Sequence, residues 1–128
     1  MIVLDENILE SRRLLMECWR IASHQAGVDF GRKGLPDPEI IVLLRKRRNV
    51  TFFTGDPGFY LPGFRHRNYC LVVMAVGQNE VAAFMRRFLR HPSFATRSLR
   101  MGRGVRVSHS GLAIWKERPQ VEAHAGWN

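Results

Sequence analysis

Three of the four aspartates in this chain of 128 residues stand where acidic side chains can meet. Asp5 directly follows an apolar run at the start of the chain, Asp56 comes shortly after a β-rich run, and Asp37 directly precedes a proline. Crowded carboxylates repel each other, and a hard divalent cation with oxygen ligands relieves that repulsion. These residues, with Glu6 as a neighbouring candidate, therefore favour a Mg²⁺ or Mn²⁺ site that activates water and holds a phosphate oxygen.

Each of these acids also has a purely structural explanation. Asp37 could cap a helix, and Asp56 could form a turn with the proline and glycine that follow it. Glu6 could stand at a helix start. Asp5 is the hardest to explain in this way, because an acid directly after a buried strand has no evident structural task.

Alternating apolar and amphipathic segments predict that these acids share one edge of a sheet. Predicted strands lie at 1–4, 28–30, 50–54 and 69–76, predicted helices at 8–22, 37–47 and 79–91, and a predicted hairpin at 104–108 and 112–116. Strands that alternate with helices imply a mostly parallel sheet, in which ligands bind beyond the carboxyl ends of the strands. Asn7 is the predicted N-cap of the first helix.

Positive charge is concentrated in one part of the chain. The chain has 20 Lys and Arg against 11 Asp and Glu, and residues 81–116 contain eight basic residues and no acid. The planar arginine fork suits phosphate oxygens, so we expect RNA as a partner; a solvated basic face without a ligand is the alternative. The arginines predicted to contact RNA are Arg65, Arg67, Arg86, Arg87, Arg90, Arg97, Arg100 and Arg103.

Length and composition predict a single domain over residues 1–116 and a flexible tail over 117–128. Cys18 and Cys70 show no metal-ligand spacing, so we expect two reduced, buried thiols. The longest apolar run, residues 69–76, is too short to span a bilayer, and the first residues do not resemble a signal peptide. We therefore expect a cytoplasmic protein without membrane contact.

Three motifs resemble the compact PIN-like nucleases, small relatives of VapC-type toxins with an N-terminal Leu-Asp-Glu-Asn motif. They are Leu4-Asp5-Glu6-Asn7, Asp37-Pro38-Glu39-Ile40 and Thr54-Gly55-Asp56-Pro57-Gly58-Phe59, and the resemblance covers roughly residues 1–76. It implies a three-layer α/β/α PIN-like fold with a mostly parallel central sheet and a C-terminal antiparallel hairpin.

The same resemblance implies an activity and a set of site residues. The activity is that of a Mg²⁺- or Mn²⁺-dependent endoribonuclease, the toxin of a prokaryotic toxin–antitoxin pair with a cognate antitoxin protein. Carried over by motif, Asp5, Asp37 and Asp56 would be the catalytic, metal-binding acids, with Glu6 as a further ligand. Folds of this kind often form homodimers, although no residues in the sequence argue for one.

One departure from the family pattern leaves an alternative open. The family usually has a second acid two residues after its last aspartate, and here that position is Gly58, although Phe59 is retained. The alternative is a nucleic-acid- or antitoxin-binding PIN-like module with a degenerate active site. A structural subunit whose basic face meets an acidic protein is a third interpretation.

Overall fold

The computed structural model describes residues 1–116 and 121–127. Its strands are β1 (Ile2–Leu4), β2 (His24–Gln25), β3 (Val50–Thr54), β4 (Tyr69–Met74), β5 (Gly104–Ser108), β6 (Gly111–Trp115) and β7 (Glu122–Ala125). Its helices are α1 (Glu10–Cys18), α2 (Asp37–Arg47), α3 (Val81–Arg90) and α4 (Arg97–Arg100). Short 3₁₀ turns at Pro57–Phe59 and Pro62–Phe64 lie between β3 and β4.

The strands form one sheet in the order β2-β1-β3-β4-β5-β6-β7. The first five strands in that order pair in parallel, and β6 and β7 add antiparallel pairs at one side. The prediction of an α/β chain with a mostly parallel sheet and a C-terminal antiparallel hairpin is therefore confirmed.

Helices pack on both faces of this sheet because neighbouring side chains of a strand point to opposite faces. Phe53 joins the apolar cluster that contains Met16 of α1 and Met85 of α3, whereas Phe52 joins the cluster that contains Leu44 of α2. All five side chains are fully buried. Each such side chain stabilises the fold by about 1.5–3 kcal/mol through burial, so the continuous apolar runs of the central strands dictate this layered packing.

The first helix and the second strand differ from their predicted positions. Leu9, not Asn7, occupies the N-cap position of α1, because the side chain of Asn7 is engaged across the sheet with Gly55. The second strand is His24–Gln25, and the predicted strand at 28–30 is instead a turn in which Val28 donates to the carbonyl of Gln25.

The end of the chain also differs from the predicted flexible tail. Residues 117–120 lie outside the described residues, but Glu122–Ala125 forms strand β7 against β6. The indole nitrogen of Trp127 donates to the carbonyl of Ser108 at 2.8 Å, which fixes the segment beyond β7. Backbone pairing and this anchor hold a segment whose composition alone indicates no strand.

The two thiols lie in different environments. Cys70 on β4 is buried as predicted, whereas Cys18 at the end of α1 is exposed, so the prediction of two buried thiols was wrong for Cys18. Among the described residues, no helix has both the length and the apolar character needed to cross a bilayer.

Candidate functional site

Strand β1 delivers Asp5 to the edge of the sheet where the parallel strands end, here called the carboxyl edge. The backbone amide of Asp5 donates to the carbonyl of Phe53 at 2.8 Å and so extends the pairing of β1 with β3 by one residue. Its carboxylate is buried and accepts two hydrogen bonds, one from the Glu6 amide at 2.8 Å and one from the Thr54 hydroxyl at 2.7 Å. Asp5 therefore has a fixed orientation at this edge.

The hydroxyl of Thr54 links the acids of the carboxyl edge. It donates to Asp5 and accepts from the Asp56 amide at 3.0 Å and from the Asn7 side-chain amide at 3.3 Å. Asn7 in turn accepts from the Gly55 amide at 3.0 Å, which fixes the orientation of its amide group. Because a hydroxyl has one proton and two lone pairs, these three bonds use its full capacity and direct its proton to Asp5.

Asp56 stands one glycine beyond the end of β3 and begins a 3₁₀ turn. Its Oδ1 atom accepts from the Gly58 amide at 2.8 Å, so the structural role predicted for a turn aspartate is present. A Cβ atom placed on Gly58 would lie 3.1 Å from the same oxygen, which is tighter than ordinary contact. Gly58, the position at which PIN-like nucleases usually have a second acid, is thus directly beside the Asp56 carboxylate.

Asp37 reaches the same edge as the first residue of α2. The N-cap of that helix is Pro36, so the prediction that Asp37 is the cap was wrong. Burial raises the pKa of the Asp37 carboxyl, and the charges of Asp56 and then Asp5 raise this pKa further. Asp56 is therefore the acid that acts most strongly on the Asp37 carboxyl.

The pKa of Asp5 shows the same crowding. Burial raises the pKa of the Asp5 carboxyl, and hydrogen bonds from Thr54 and the Glu6 amide oppose that effect. The negative charges of Glu6 and Asp56 raise it again. Asp5, Asp37 and Asp56 therefore lie at one edge of the sheet, where the charge of Asp56 acts on both of the other two carboxyls.

Glu6 was predicted to be a further metal ligand, but its carboxylate is hydrogen-bonded to a backbone amide. Its Oε1 atom accepts from the Gly34 amide at 2.7 Å, and a Cβ atom on Gly27 would come within 2.9 Å of that oxygen. Glu6 therefore holds the loop between β2 and α2, while its charge still acts on Asp5.

The carboxyl edge has the donor chemistry for a hard divalent cation. The charges of Asp56 and Asp5 raise the pKa of Asp37, and the charge of Asp56 also raises the pKa of Asp5, so an ion with oxygen ligands would relieve a repulsion here. Within the described residues, however, no three His, Cys, Asp or Glu side chains are close enough to hold an ion together. The pKa shifts and the absence of a three-ligand cluster are compatible. Carboxylates shift one another's pKa over distances longer than a metal–oxygen bond of about 2.0–2.6 Å. Mg²⁺ commonly binds through one or two carboxylates with water and substrate phosphate, so this donor set fits Mg²⁺.

Two glutamines also support this edge and were not identified from the sequence. The Gln25 side-chain amide donates to the carbonyls of Asp5 at 2.7 Å and Ile8 at 3.1 Å, which fixes the turn between β1 and α1. The Gln78 amide donates to the carbonyl of Asn7 at 2.8 Å. No local pattern in the sequence marks Gln25, because β2 has only two residues and the predicted strand lay at 28–30.

The predicted RNA-contacting arginines belong mainly to the opposite edge, where the parallel strands begin and the helices end, here called the amino edge. Arg67 precedes β4, Arg90 ends α3, and Arg97–Arg103 precedes β5. Strand β3, five residues long, separates the two edges by about 13 Å at a rise of about 3.3 Å per residue. The structure therefore does not place these arginines beside the aspartates.

Several of these arginines already have partners. Three stack on tryptophan rings: Arg65 on Trp115 at 5.8 Å, Arg86 on Trp19 at 3.8 Å and Arg87 on Trp127 at 4.4 Å. Arg100 donates to the Thr51 hydroxyl and to the Phe94 carbonyl, both at 2.9 Å. Arg67, Arg90 and Arg97 are exposed, and Arg103 is partly buried.

In comparisons with protein-family models, with curated proteins and with solved structures, nothing matches this chain.

Proposed function

We propose that the protein is a PIN-like, divalent-metal-dependent endoribonuclease that cleaves RNA phosphodiester bonds at the carboxyl edge. The convergence of Asp5, Asp37 and Asp56 at this edge carries the proposal: the Thr54 hydroxyl bonds both Asp5 and the Asp56 amide, and the charges of Asp56 and Asp5 raise the pKa of Asp37. Repelling carboxylates at the carboxyl ends of parallel strands are typical of a site that becomes stable when it binds a cation. The three motifs that resemble PIN-like nucleases give the same three residues.

Asp5, Asp37 and Asp56 would hold Mg²⁺ or Mn²⁺, one or two of them directly and the others through bound water, and the ion would supply an activated water and a positive charge for a phosphate oxygen. The remaining residues prepare this site. Thr54 and the Glu6 amide hold Asp5 in one orientation, and Asn7 ties the segment after β1 to the segment after β3. Because the predicted RNA-contacting arginines stand mainly at the other edge, a bound ion would supply positive charge to the scissile phosphate.

Titration with Mn²⁺ tests the metal site directly. We expect saturable binding to the purified chain by calorimetry and at least tenfold weaker binding for Asp37→Asn, because that variant removes one of the three negative charges that would attract and hold the ion. Glu17→Gln on the exposed face of α1 is the matched control, since it also removes one acid, and it should bind Mn²⁺ as tightly as the parent chain. Absence of saturable binding to the parent chain would refute the catalytic proposal.

The alternative is a nucleic-acid- or antitoxin-binding module with a degenerate active site, which the glycine at position 58 favours. Gly58→Asp restores an acid beside Asp56 and separates the two proposals. If the natural site is degenerate, Gly58→Asp creates Mn²⁺ affinity that the parent chain lacks. If the natural site is intact, the parent chain already binds and the variant gains little; Gly58→Asn controls for the steric effect.

The proposed biological role is that of a toxin in a prokaryotic toxin–antitoxin pair. It rests on the resemblance to VapC-type toxins alone, and a cognate antitoxin would then cover the carboxyl edge. Expression in bacteria tests this role: growth should stop on induction of the parent chain and continue on induction of Asp5→Asn at the same protein level.

A further inference from the structure

An open groove of about 510 Å³ lies at the amino edge, away from the acidic residues. Thr96, Arg97, Ser98 and Arg100 line it on one side, and the first residues of β1 line it on the other. The position follows from the topology, because the segment that contains α4 leads into the start of β5. A groove of this volume is large enough to receive a small anionic group with part of its attached chain.

The guanidinium of Arg100 is held in place at this groove. Its Nε atom donates to Thr51 and its Nη1 atom donates to the Phe94 carbonyl, so two of its five donor hydrogens are occupied. The other three remain for a ligand. Binding to a group that is already ordered costs less conformational entropy than binding to a free side chain.

The positive charge of the groove has no opposite charge beside it. Within residues 1–116 and 121–127, no carboxylate lies within 4.0 Å of the guanidinium of Arg97 or Arg100. Burial lowers the pKa of Arg100, and the charge of Arg97 lowers that pKa further. Two cations on the same wall of an open groove repel each other, and an anion bound in the groove would relieve that repulsion.

We propose that this groove binds a phosphate group of the RNA backbone and forms a second RNA contact at the far edge of the sheet from the proposed metal site. The planar forks of Arg97 and Arg100 suit two phosphate oxygens, and the hydroxyls of Thr96 and Ser98 add donors. The inference rests on the proposed RNA substrate, but it requires neither the metal nor cleavage.

A polyanion fits this groove better than an isolated anion does, because positive side chains continue along the same edge. Arg47 ends α2, Arg67 precedes β4 and Arg103 precedes β5, and neighbouring strand starts are about 4.8 Å apart. A nucleic-acid backbone with regularly spaced charges can contact several of these side chains at once, and each contact releases counterions.

Binding of a short single-stranded RNA, measured by fluorescence anisotropy in EDTA at several salt concentrations, tests the proposal. Arg97→Ala should weaken binding about five- to tenfold and lower the slope of log affinity against log salt by about 0.7, the value for one phosphate contact. Arg97→Lys should recover only part of the affinity, because lysine lacks the bidentate fork. Arg32→Ala is the matched control, since it removes one exposed arginine at the other edge, where Arg32 pairs with Glu39 at 3.4 Å.

An equal loss for Arg97→Ala and Arg32→Ala would overturn the proposal, because net charge alone would then explain binding. Inorganic phosphate should compete for the groove at millimolar concentration. If phosphate binds at Arg97 but Arg97→Ala leaves RNA affinity unchanged, the groove holds a free anion and the RNA assignment is wrong. Thermal unfolding of each variant confirms that the fold is retained.

The outcomes of this test are separable from those of the proposed function. RNA affinity that depends on Arg97 without any cleavage would support the groove and refute the nuclease. Cleavage together with RNA affinity that is indifferent to Arg97 would support the nuclease and refute the groove.

Discussion

Among single residues, Thr54 does most to fix the acidic site. Its hydroxyl connects Asp5, Asn7 and the Asp56 amide, and its side chain is fully buried between β1 and β4. A buried carboxylate destabilises the fold unless it is hydrogen-bonded. The hydroxyl of Thr54 supplies one of the two hydrogen bonds that the Asp5 carboxylate accepts.

Replacing Thr54 with valine should therefore lower stability. Valine has nearly the same shape but cannot donate to Asp5 or accept from the two amide groups, so we expect a loss of about 1–3 kcal/mol in the free energy of unfolding. Thr54→Ser keeps the hydroxyl and should lose markedly less. Urea denaturation at neutral pH measures both, and a loss for Thr54→Ser as large as that for Thr54→Val would contradict the dominant role of the hydroxyl.

The two cysteines should differ sharply in reactivity. Alkylation requires the thiolate, and burial raises the pKa of the Cys70 thiol to about 12, whereas Cys18 is exposed. We expect iodoacetamide to modify only Cys18 in the native protein and both thiols in denaturant, with mass spectrometry of peptides as the readout. Rapid modification of Cys70 in the native protein would contradict the packing of β4.

Among the elements, the long apolar runs were predictable and the short pieces were not. Strand Val50–Thr54 and helix Asp37–Arg47 have the predicted bounds, because each carries a continuous apolar run or clear start and end signals. Strand β2 has only two residues, and its pairing with β1 arises from tertiary packing that no local pattern encodes.

The candidate site was predictable to a similar extent. The meeting of Asp5, Asp37 and Asp56 at the carboxyl edge follows from the alternation of strands and helices. The contacts of Asn7 and Gln25 do not follow from it, because they depend on side chains that meet across the sheet. The separation of the arginines from the aspartates could have been predicted from the sequence. Residues 97–103 directly precede a predicted strand, whereas Asp5 and Asp56 follow strand ends, so the two groups belong to opposite edges of a parallel sheet.

Strand β7 depends on close approach to the turn between β5 and β6. Gly111 has a φ of +145°, and a Cβ atom there would lie 2.5 Å from the carbonyl oxygen of Ala125. Gly111→Ala should therefore force β7 away from β6 and cost about 1–3 kcal/mol of stability. Thermal unfolding measures the effect, and Gly63→Ala, with open space around it, is the control that should change little. If both variants unfold at the same temperature as the parent chain, β7 is not paired as described.

At the scale of the whole molecule, the sheet separates charges of opposite sign. The interacting aspartates lie at the carboxyl edge, and the arginines of residues 97–103 lie at the amino edge. RNA would be attracted to the amino edge by long-range electrostatics, while the carboxyl edge repels phosphate until a cation binds. The proposed metal binding at one edge and the proposed RNA binding at the other can thus be measured separately.

A ribonuclease assay tests the central claim most directly. Structured RNA is incubated with Mn²⁺, with EDTA, and with an Asp5→Asn variant purified in parallel. We predict cleavage by the parent chain with Mn²⁺ that is lost in EDTA and falls at least a hundredfold for Asp5→Asn. Equal cleavage by the parent chain and the variant, or no cleavage by the parent chain despite bound RNA, would contradict the assignment of a metal-dependent nuclease.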